Sequence, residues 1–419
     1  MMEQEELKRK LLGLWEKTTH NSKELLATLF DYYFNNDYIE YKELDGKIIS
    51  AICGIPFSFG YGEKKLKGIY LLPLSSEEGF KKKGLLSELL GIFNEKLKEE
   101  FDFSFLVPHT ALLADYFGTL GYQSSFFILE ERFTPFHDFK NDYLLSLEDS
   151  DDRIKFLKTN LFEDIKIIEN SIDYHFSQEE IIQFIQKIEN KGSSAINLLH
   201  TSNDLEYLLL NNSVIHYNHF VAYDSDGRIT GVAFTQKDDI KHIKIAAAYV
   251  SDICSYYVLL DFIKRHYPEY SMSVVTSDPK FQTIALIQQN YASSNPNGGD
   301  LDNTFGSIEM PFNINKLLQP EGMVKILQFD NILNYLAETR SDADFKLYIR
   351  DLSEKIIFVI KNGILRKEFV EEVPTERNIL NLSRKEVAEL FLRKNDSSNL
   401  IMEAFGIPRL NLQFRLLPC

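Results

Sequence analysis

The stretch LKGIYLLPLSSEEGFKKKGLLSELLGIFNEKL, residues 66–97, joins an apolar run, a basic turn and a helical pattern in one segment. Residues 69–74 are apolar over the length of a buried strand. After the turn, apolar residues recur at the spacing of one helix face: Leu85, Leu86, Leu89, Leu90, Phe93 and Leu97. The stretch therefore predicts a strand followed by an amphipathic helix.

The turn between them has an unusual charge distribution. Lys81, Lys82 and Lys83 precede Gly84 at the predicted helix N-terminus, where the helix dipole disfavours each cation by about 0.3–1 kcal/mol. A phosphate held by the first backbone N–H groups, with Gly84 allowing close approach, would offset that cost. The alternative is a solvated lysine run beside an ordinary turn. The segment has neither a Walker GxxxxGK[ST] nor a dinucleotide GxGxxG motif.

The segment Phe80–Leu86 resembles the (Q/R)xxGx(G/A) pyrophosphate loop of GCN5-related N-acetyltransferases, in particular that of the Eis-type (enhanced intracellular survival) branch. The last small residue of the general motif is Leu86 here. The resemblance implies acetyl-CoA as cosubstrate and backbone contacts from the preceding strand to its pantetheine arm. The residues it implies for coenzyme binding are Leu74, Ser75, Ser76, Lys81, Lys82, Lys83, Gly84, Leu85, Leu86 and Leu112.

Composition and charge narrow the class of protein. A length of 419 residues predicts two or three domains. The formal net charge of −16 argues against nucleic acid and anionic membranes as partners and is compatible with a cationic substrate. Cys53, Cys254 and Cys419 form no CxxC motif, which indicates a reducing compartment. With no signal pattern and no apolar run of about 18 residues, we expect a cytoplasmic protein.

The flanking sequence extends the first domain. Two extended runs, residues 38–43 and 47–57, flank Asp45-Gly46, a pair that tolerates positive φ and predicts a β-hairpin. The elements predicted after the helix are a strand at 103–107, a helix at 111–120 and a strand at 125–133. With a helical N-terminus, this is the element order of an N-acetyltransferase core, and the resemblance places its end at residue 140.

A second aspartate-glycine pattern follows in the middle of the chain. Residues Asp226–Ile229 echo Asp45–Ile48. A strand candidate at 243–253 and a helix at 256–266 come next, but Ser251–Cys254 replaces the basic glycine turn. The pattern resembles the degenerate second acetyltransferase-like domain of Eis-type proteins.

The expected fold class is therefore mixed α+β and α/β, with two tandem N-acetyltransferase-like domains and a sterol-carrier-protein-like α+β domain. The corresponding domains are residues 1–140, which bind acetyl-CoA, residues 141–300, which are degenerate, and residues 301–419. After the turn-rich Ser293–Gly299, the predicted elements are a strand at 323–327, a helix at 330–339, a strand pair at 345–350 and 356–360, and a helix opened by Ser383-x-x-Glu386.

Candidate catalytic residues come from the same resemblance. Tyr116–Tyr122 resembles the family's Tyr-x-x-x-Gly-(Phe/Tyr) segment, whose tyrosine is the general acid for the departing coenzyme A thiolate. Counting back from Gly121 places that position at Phe117, which has no proton to donate. Tyr116 is the candidate acid, although it lies about 100° away on a helix. Tyr122 is a further nearby hydroxyl, and Tyr116 is alternatively a surface aromatic.

The resemblance implies that the general base is the C-terminal carboxylate, which Cys419 supplies here. Asp37, Glu40 and Glu43 are alternative bases, although each is more typical of a solvated strand or turn residue. We predict no metal site, because no further His, Cys or carboxylate stands at ligand spacing from His216 and His219.

The resulting hypothesis is an N-acetyltransferase that moves an acetyl group from acetyl-CoA to an amine by direct attack. The acceptor is expected to be cationic, either a small molecule or a lysine side chain. The family resemblance implies a homo-oligomer. One alternative is a coenzyme A-binding protein with lost or weak catalysis, because Phe117 occupies the acid position. Another is a structural or lipid-binding role of the C-terminal domain.

Overall fold

A computed structural model gives the structure of the chain. It describes residues 4–19, 22–61, 64–147, 149–153, 161–169, 175–190, 196–210, 217–238, 241–276, 315–339, 344–375, 378–384, 386–387 and 412–413. The chain divides into two compact units. The first comprises residues 1–127, 192–200 and 320–414, and the second comprises residues 128–191, 201–319 and 415–419. The three-domain division at residues 140 and 300 stays a prediction.

The described helices are α1 (Gln4–Thr18), α2 (Lys23–Tyr33), α3 (Leu85–Leu97), α4 (Ala111–Thr119), α5 (Phe139–Ser146), α6 (Leu161–Asp164), α7 (Gln178–Glu189), α8 (Ser202–Leu210), α9 (Ile253–His266) and α10 (Phe329–Thr339). The described strands are β1 (Ile39–Leu44), β2 (Lys47–Tyr61), β3 (Lys64–Ser76), β4 (Phe103–Leu106), β5 (Gln123–Phe133), β6 (Lys166–Glu169), β7 (Ile196–Leu199), β8 (Tyr217–Tyr223), β9 (Ile229–Lys237), β10 (His242–Val250), β11 (Ser271–Thr276), β12 (Asn315–Ile326), β13 (Asp344–Ile349), β14 (Ile356–Lys361), β15 (Ile364–Phe369), β16 (Ile379–Leu382) and β17 (Leu412–Gln413). Among the described helices, none has the length and apolar character needed to cross a membrane.

The larger sheet of the first unit is built around β2 and β3. Its strand order is β17-β7-β2-β3-β4-β12, with β1 also paired to β2. β2 pairs antiparallel with β1 and with β3. β3 pairs parallel with β4, and α3 connects these two strands. The predicted hairpin is confirmed, since Asp45 and Gly46 have φ of 50° and 76°. A parallel pair joined by a helix brings the turn before α3 to the carboxyl end of β3.

The amphipathic helix predicted after the basic turn is confirmed as α3. Its buried face carries Leu89, Leu90, Phe93 and Leu97. These side chains pack in one apolar cluster with side chains from β2 and β3, among them Ile52. Burying a leucine or phenylalanine side chain is worth about 1.5–3 kcal/mol, so this face fixes α3 on the sheet.

The second unit repeats this pairing pattern. β8 and β9 form an antiparallel hairpin, β9 pairs antiparallel with β10, and β10 pairs parallel with β11 through α9. The order therefore matches that of β1, β2, β3, α3 and β4. The echo between the two aspartate-glycine sequences corresponds to the same arrangement of strands. β6 pairs with β8, and the end of β5 pairs with β11.

A four-stranded sheet in the first unit has the order β15-β14-β13-β16, and α10 precedes it in the chain. The predicted helix at 330–339 and the strand pair at 345–350 and 356–360 correspond to α10, β13 and β14. The predicted capping contact is present, because the Ser383 N–H donates to Glu386 Oε2 at 2.7 Å and the Glu386 N–H donates to Ser383 Oγ at 3.2 Å. The turn-rich Ser293–Gly299 lies outside the described residues.

Candidate active site

The basic turn reaches α3 through two residues with left-handed backbone. A 3₁₀ turn, Glu78–Phe80, leads into the lysines, after which Lys82 has a φ of +63° and Gly84 a φ of +78°. Gly84 is the N-cap residue of α3, and it provides no side-chain hydrogen bond to the helix. The first turn of a helix has N–H groups without intrahelical partners. Here those groups and the positive end of the helix dipole lie next to three lysines.

The lysine side chains are exposed and only partly neutralised. Lys81 pairs with Glu78 at 2.5 Å, and Lys83 Nζ lies 4.7 Å from the centroid of the Phe80 ring. Among the described residues, Lys82 has no carboxylate partner. A phosphate would have to compete with Glu78 for Lys81, whereas Lys82 is available without such an exchange. Exposed pairs are worth about 0–1 kcal/mol, so that competition is weak.

Substitution of Gly84 tests whether this turn geometry matters. A Cβ at residue 84 would meet no atom within 4 Å, so Gly84→Ala brings no steric clash in the free chain. The left-handed φ of +78° still disfavours alanine by about 1–2 kcal/mol. We expect Gly84→Ala to lower unfolding stability in denaturant titration and to weaken acetyl-CoA binding in calorimetry.

The matched control is Gly79→Ala. Gly79 also has open space around the position of a Cβ, but its φ lies outside the left-handed range. We expect little change in either measurement for this variant. Equal effects of the two substitutions would show that the backbone geometry at Gly84 has no special role.

β3 and β4 separate beside this turn. Their ladder pairs Gly68 with Phe103 and ends at Tyr70 and Phe105. Beyond that point β3 contains a bulge. Ile52 of β2 pairs with Leu74, and Gly54 of β2 pairs with Leu71, so two β3 residues lie opposite the single β2 residue between these pairs. Backbone groups alternate between the two sides of a strand. In the described ladder, the last part of β3 therefore has backbone groups on the β4 side that lack ladder partners.

Hydroxyl groups hold this end of β3 in place. Thr18 Oγ1 donates to the Leu14 carbonyl at 2.9 Å, so in its 2.7 Å contact with Ser75 Oγ the serine is the donor. Ser50 Oγ, which is fully buried, lies 2.7 Å from Ser76 Oγ and 3.2 Å from the Ser75 carbonyl oxygen. Both predicted serine side chains are thus engaged within the protein. Any contact from residues 74–76 to a coenzyme arm is left to the backbone.

The structure separates the two aromatic residues considered for the acid. Phe117 is 3% exposed and packs edge-on against Tyr122, with ring centroids 6.0 Å apart. Tyr116 is partly exposed, and its hydroxyl lies 2.8 Å from Ser87 Oγ in the first turn of α3. Of the two, Tyr116 therefore reaches the helix end that carries the basic turn, while Phe117 belongs to the core.

Tyr122 does not serve as an accessible acid. Its ring is fully buried, and its hydroxyl lies 3.2 Å from Asn94 Nδ2 and 2.9 Å from Ser104 Oγ. Burial raises the pKa of Tyr122 to about 12, which the hydrogen bonds to Ser104 and Asn94 offset only in part. This hydroxyl is a structural link between α3, β4 and the residue that precedes β5.

The remaining predicted site residues lie at scattered positions. Leu112 on α4 is 81% exposed, and Leu85 and Leu86 are half-buried in the first turn of α3. Glu40 pairs with Lys96 at 2.9 Å and Glu43 pairs with Lys10 at 3.0 Å, so both alternative bases have cationic partners. Asp37 is exposed in a 3₁₀ turn. Cys419 and His216 lie outside the described residues, within which no group of three or more potential ligands could hold a metal.

The corresponding helix of the second unit begins differently. Asp252 is the N-cap residue of α9, and its carboxylate accepts the Ser255 N–H at 2.8 Å. The same carboxylate accepts hydrogen bonds from the hydroxyls of Ser251 and Ser255. A negatively charged cap already occupies this helix N-terminus and would repel a phosphate. The N-cap residue of α3, Gly84, has no such capping side chain.

Sequence reasoning did not identify Ser87, Thr18 or Ser50. Ser87 stands three residues after Gly84, which places it in the first helical turn, but no local pattern shows that Tyr116 reaches it. Thr18 and Ser50 belong to α1 and β2, which are distant from Ser75 in sequence. These contacts arise from tertiary packing.

No protein-family model matches the chain. No curated protein matches it either. Solved structures share its fold. A conserved protein of unknown function from Enterococcus faecalis V583, described as a probable N-acyltransferase, has a TM-score of 0.63 and 14% identity over 97% of this chain and 91% of that one.

Two further structures carry more specific descriptions. A GCN5-related N-acetyltransferase from Anabaena variabilis has a TM-score of 0.61 and 10% identity over 95% of this chain and 90% of that one. Eis1 from Mycobacterium abscessus has a TM-score of 0.59 and 9% identity over 97% of this chain and 92% of that one. At these identities the likeness shows the fold alone. The chain thus has a mixed α/β fold like that of GCN5-related N-acetyltransferases over nearly its whole length.

Proposed function

We propose that this chain is an acetyl-CoA-dependent N-acetyltransferase of Eis type, with its active site in the first unit. The observation that carries the proposal is the N-terminus of α3, where a left-handed glycine caps the helix beside three lysines and next to the separating strands β3 and β4. A helix end without a capping side chain, surrounded by cations, suits a pyrophosphate. The gap between the strands suits an extended pantetheine arm.

The proposed reaction is direct transfer of the acetyl group. The acceptor amine must be neutral to attack, so a base takes its proton, and its nitrogen forms a bond to the acetyl carbon. Backbone N–H groups that follow Leu74 polarise the thioester carbonyl. The carbon–sulfur bond then breaks, and the leaving thiolate takes a proton from Tyr116. The base is the carboxylate of Cys419, as the family resemblance implies.

The acceptor in this proposal is a cationic amine, either a small molecule or an exposed lysine side chain. The net charge of −16 favours the approach of cations over anions. We further propose a cytoplasmic homo-oligomer that engages neither nucleic acid nor membranes. Steady-state acetyl transfer from acetyl-CoA to a panel of small cationic amines and lysine peptides tests the proposal.

A coenzyme A-binding protein with weak or lost catalysis is the second candidate, because the position that the family resemblance implies for the acid holds Phe117. A thermal shift with acetyl-CoA but no transfer to any amine would support this candidate. If acetyl-CoA gave no thermal shift and no amine were acetylated, both candidates would be excluded, and a role of the C-terminal residues would remain. For these we propose a sterol-carrier-protein-like domain, supported by the α10 helix and the sheet β15-β14-β13-β16.

One coenzyme is expected to bind per chain. The helix end at Gly84 is open to an anion, whereas the Asp252 carboxylate caps the equivalent helix of the second unit. Calorimetric titration with acetyl-CoA should therefore give a stoichiometry of about one. Two equivalent sites per chain would contradict the assignment of the second unit.

A further inference from the structure

A groove of about 700 Å³ lies within the first unit, between α3 and the C-terminal strands. Gly91 and Glu95 line it from α3, and Phe358 and Lys367 line it from β14 and β15. Small-molecule sites usually have volumes of about 300–1,000 Å³. The α3 residues of the groove belong to the second half of the helix, at the end opposite to the basic turn. The groove therefore has the size of a ligand site and is separate from the proposed coenzyme site.

The charged residues that line the groove are Glu95, Lys98, Glu99, Lys325, Asp330, Glu354, Lys367 and Arg384. Four of them form two ion pairs, Lys98 with Glu95 and Lys367 with Asp330. The two remaining acids, Glu99 and Glu354, are exposed and form no ion pair among the described residues. The cations left over are Lys325 and Arg384.

Lys325 and Arg384 have no carboxylate partner in the part of the chain that the structure describes. Lys325 on β12 is half-buried and donates to the Leu120 carbonyl oxygen at 3.0 Å instead of to an acid. Arg384 follows the capping residue Ser383, and its backbone N–H is bonded to Asp351 while its side chain is exposed. A guanidinium without a carboxylate partner offers paired donors to a planar oxyanion.

The two cations also repel one another. Burial lowers the pKa of Lys325, and the nearby charge of Arg384 lowers it further, against a smaller opposing effect of Glu95. Four acids and four cations line the groove, so its lining is balanced in charge. Within the described part of the chain, Lys325 and Arg384 are the two lining cations that lack an ion pair with any of these acids. An anion between them would relieve the repulsion and supply the missing partner.

We propose that this groove binds a small multivalent oxyanion, a polycarboxylate or a phosphate ester, between Lys325 and Arg384. The open wall at Gly91 leaves room for the body of the ligand beside α3. The proposal does not depend on the chain being an acetyltransferase, because none of these residues belongs to the proposed active site.

Calorimetric titration of the full chain with citrate and with glucose 6-phosphate, at constant ionic strength, tests the proposal and separates the two sources of the anion. We expect at least one probe to bind. Lys325→Met and Arg384→Gln should each weaken its binding by about tenfold, the value of one charge-assisted hydrogen bond. Arg384 is exposed, so its variant keeps the test decisive if Lys325→Met folds poorly.

Two controls complete the experiment. Lys361→Met removes an exposed lysine that pairs with Asp344 outside the groove, and it should leave probe binding unchanged. Lys81→Ala combined with Lys82→Ala should also leave it unchanged. The proposal is overturned if neither probe binds, or if Arg384→Gln binds the probe as tightly as the natural chain does. It is also overturned if Lys81→Ala combined with Lys82→Ala abolishes probe binding.

Discussion

Lys81→Ala combined with Lys82→Ala is expected to weaken acetyl-CoA binding by about 30- to 1,000-fold. Hydrogen bonds to charged groups are worth about 1.5–3 kcal/mol each, with some non-additivity for neighbours. Lys82 lacks a carboxylate partner among the described residues, and Lys81 is held only by the exposed Glu78. Both side chains are therefore available to a phosphate, and calorimetry with acetyl-CoA measures their loss.

The control for this variant removes the same amount of charge elsewhere in the first unit. Lys355→Ala combined with Lys361→Ala changes two lysines of the C-terminal sheet, one bonded to the Glu371 carbonyl and the other paired with Asp344. We expect its coenzyme affinity to match that of the natural chain. If the two double variants bind acetyl-CoA equally well, the pyrophosphate does not lie at this turn.

The second large effect concerns Tyr116. Tyr116→Phe is expected to lower the kcat of acetyl transfer by about 10²–10⁴-fold, which is the range of general acid catalysis, with little change in the KM for acetyl-CoA. Its hydroxyl lies 2.8 Å from Ser87 Oγ at the helix end that would carry the coenzyme. Tyr38→Phe is the matched control. The Tyr38 hydroxyl donates to Glu100, just beyond the opposite end of α3, and its loss should leave kcat unchanged.

Phe117→Tyr tests whether residue 117 or Tyr116 occupies the position of the general acid. If residue 117 faced the coenzyme sulfur, the added hydroxyl would raise turnover at least about tenfold. The side chain is instead 3% exposed in the apolar cluster of α3 and β4. We therefore expect no gain in kcat and a loss of about 1–3 kcal/mol in unfolding free energy, the cost of burying an unpaired hydroxyl. A faster Phe117→Tyr enzyme, or an unimpaired Tyr116→Phe enzyme, would reject Tyr116 as the acid.

Local patterns predicted the elements that carry strong periodicity or turn chemistry. The apolar spacing from Leu85 to Leu97 gave α3, and Asp45-Gly46 gave the first hairpin. Strands without such a signal were not predicted, among them β7, β11, β15 and β16. β15 has exposed side chains at nearly every position, so its strand character comes from pairing with β14 and not from its own sequence.

The sequence by itself determined the basic turn, the glycine at its end and the helix that follows, because these depend on neighbouring residues. The left-handed backbone of Gly84 was shown by the structure. The order of elements also indicated the repeated pairing pattern. Only the tertiary structure decided which aromatic side chain of α4 faces α3. Neighbouring residues on a helix point in directions about 100° apart, and tertiary packing determines which of them is buried. It likewise brought Lys325 and Arg384 to one groove, because β12 and the residue after Ser383 meet only when distant segments pack in one unit.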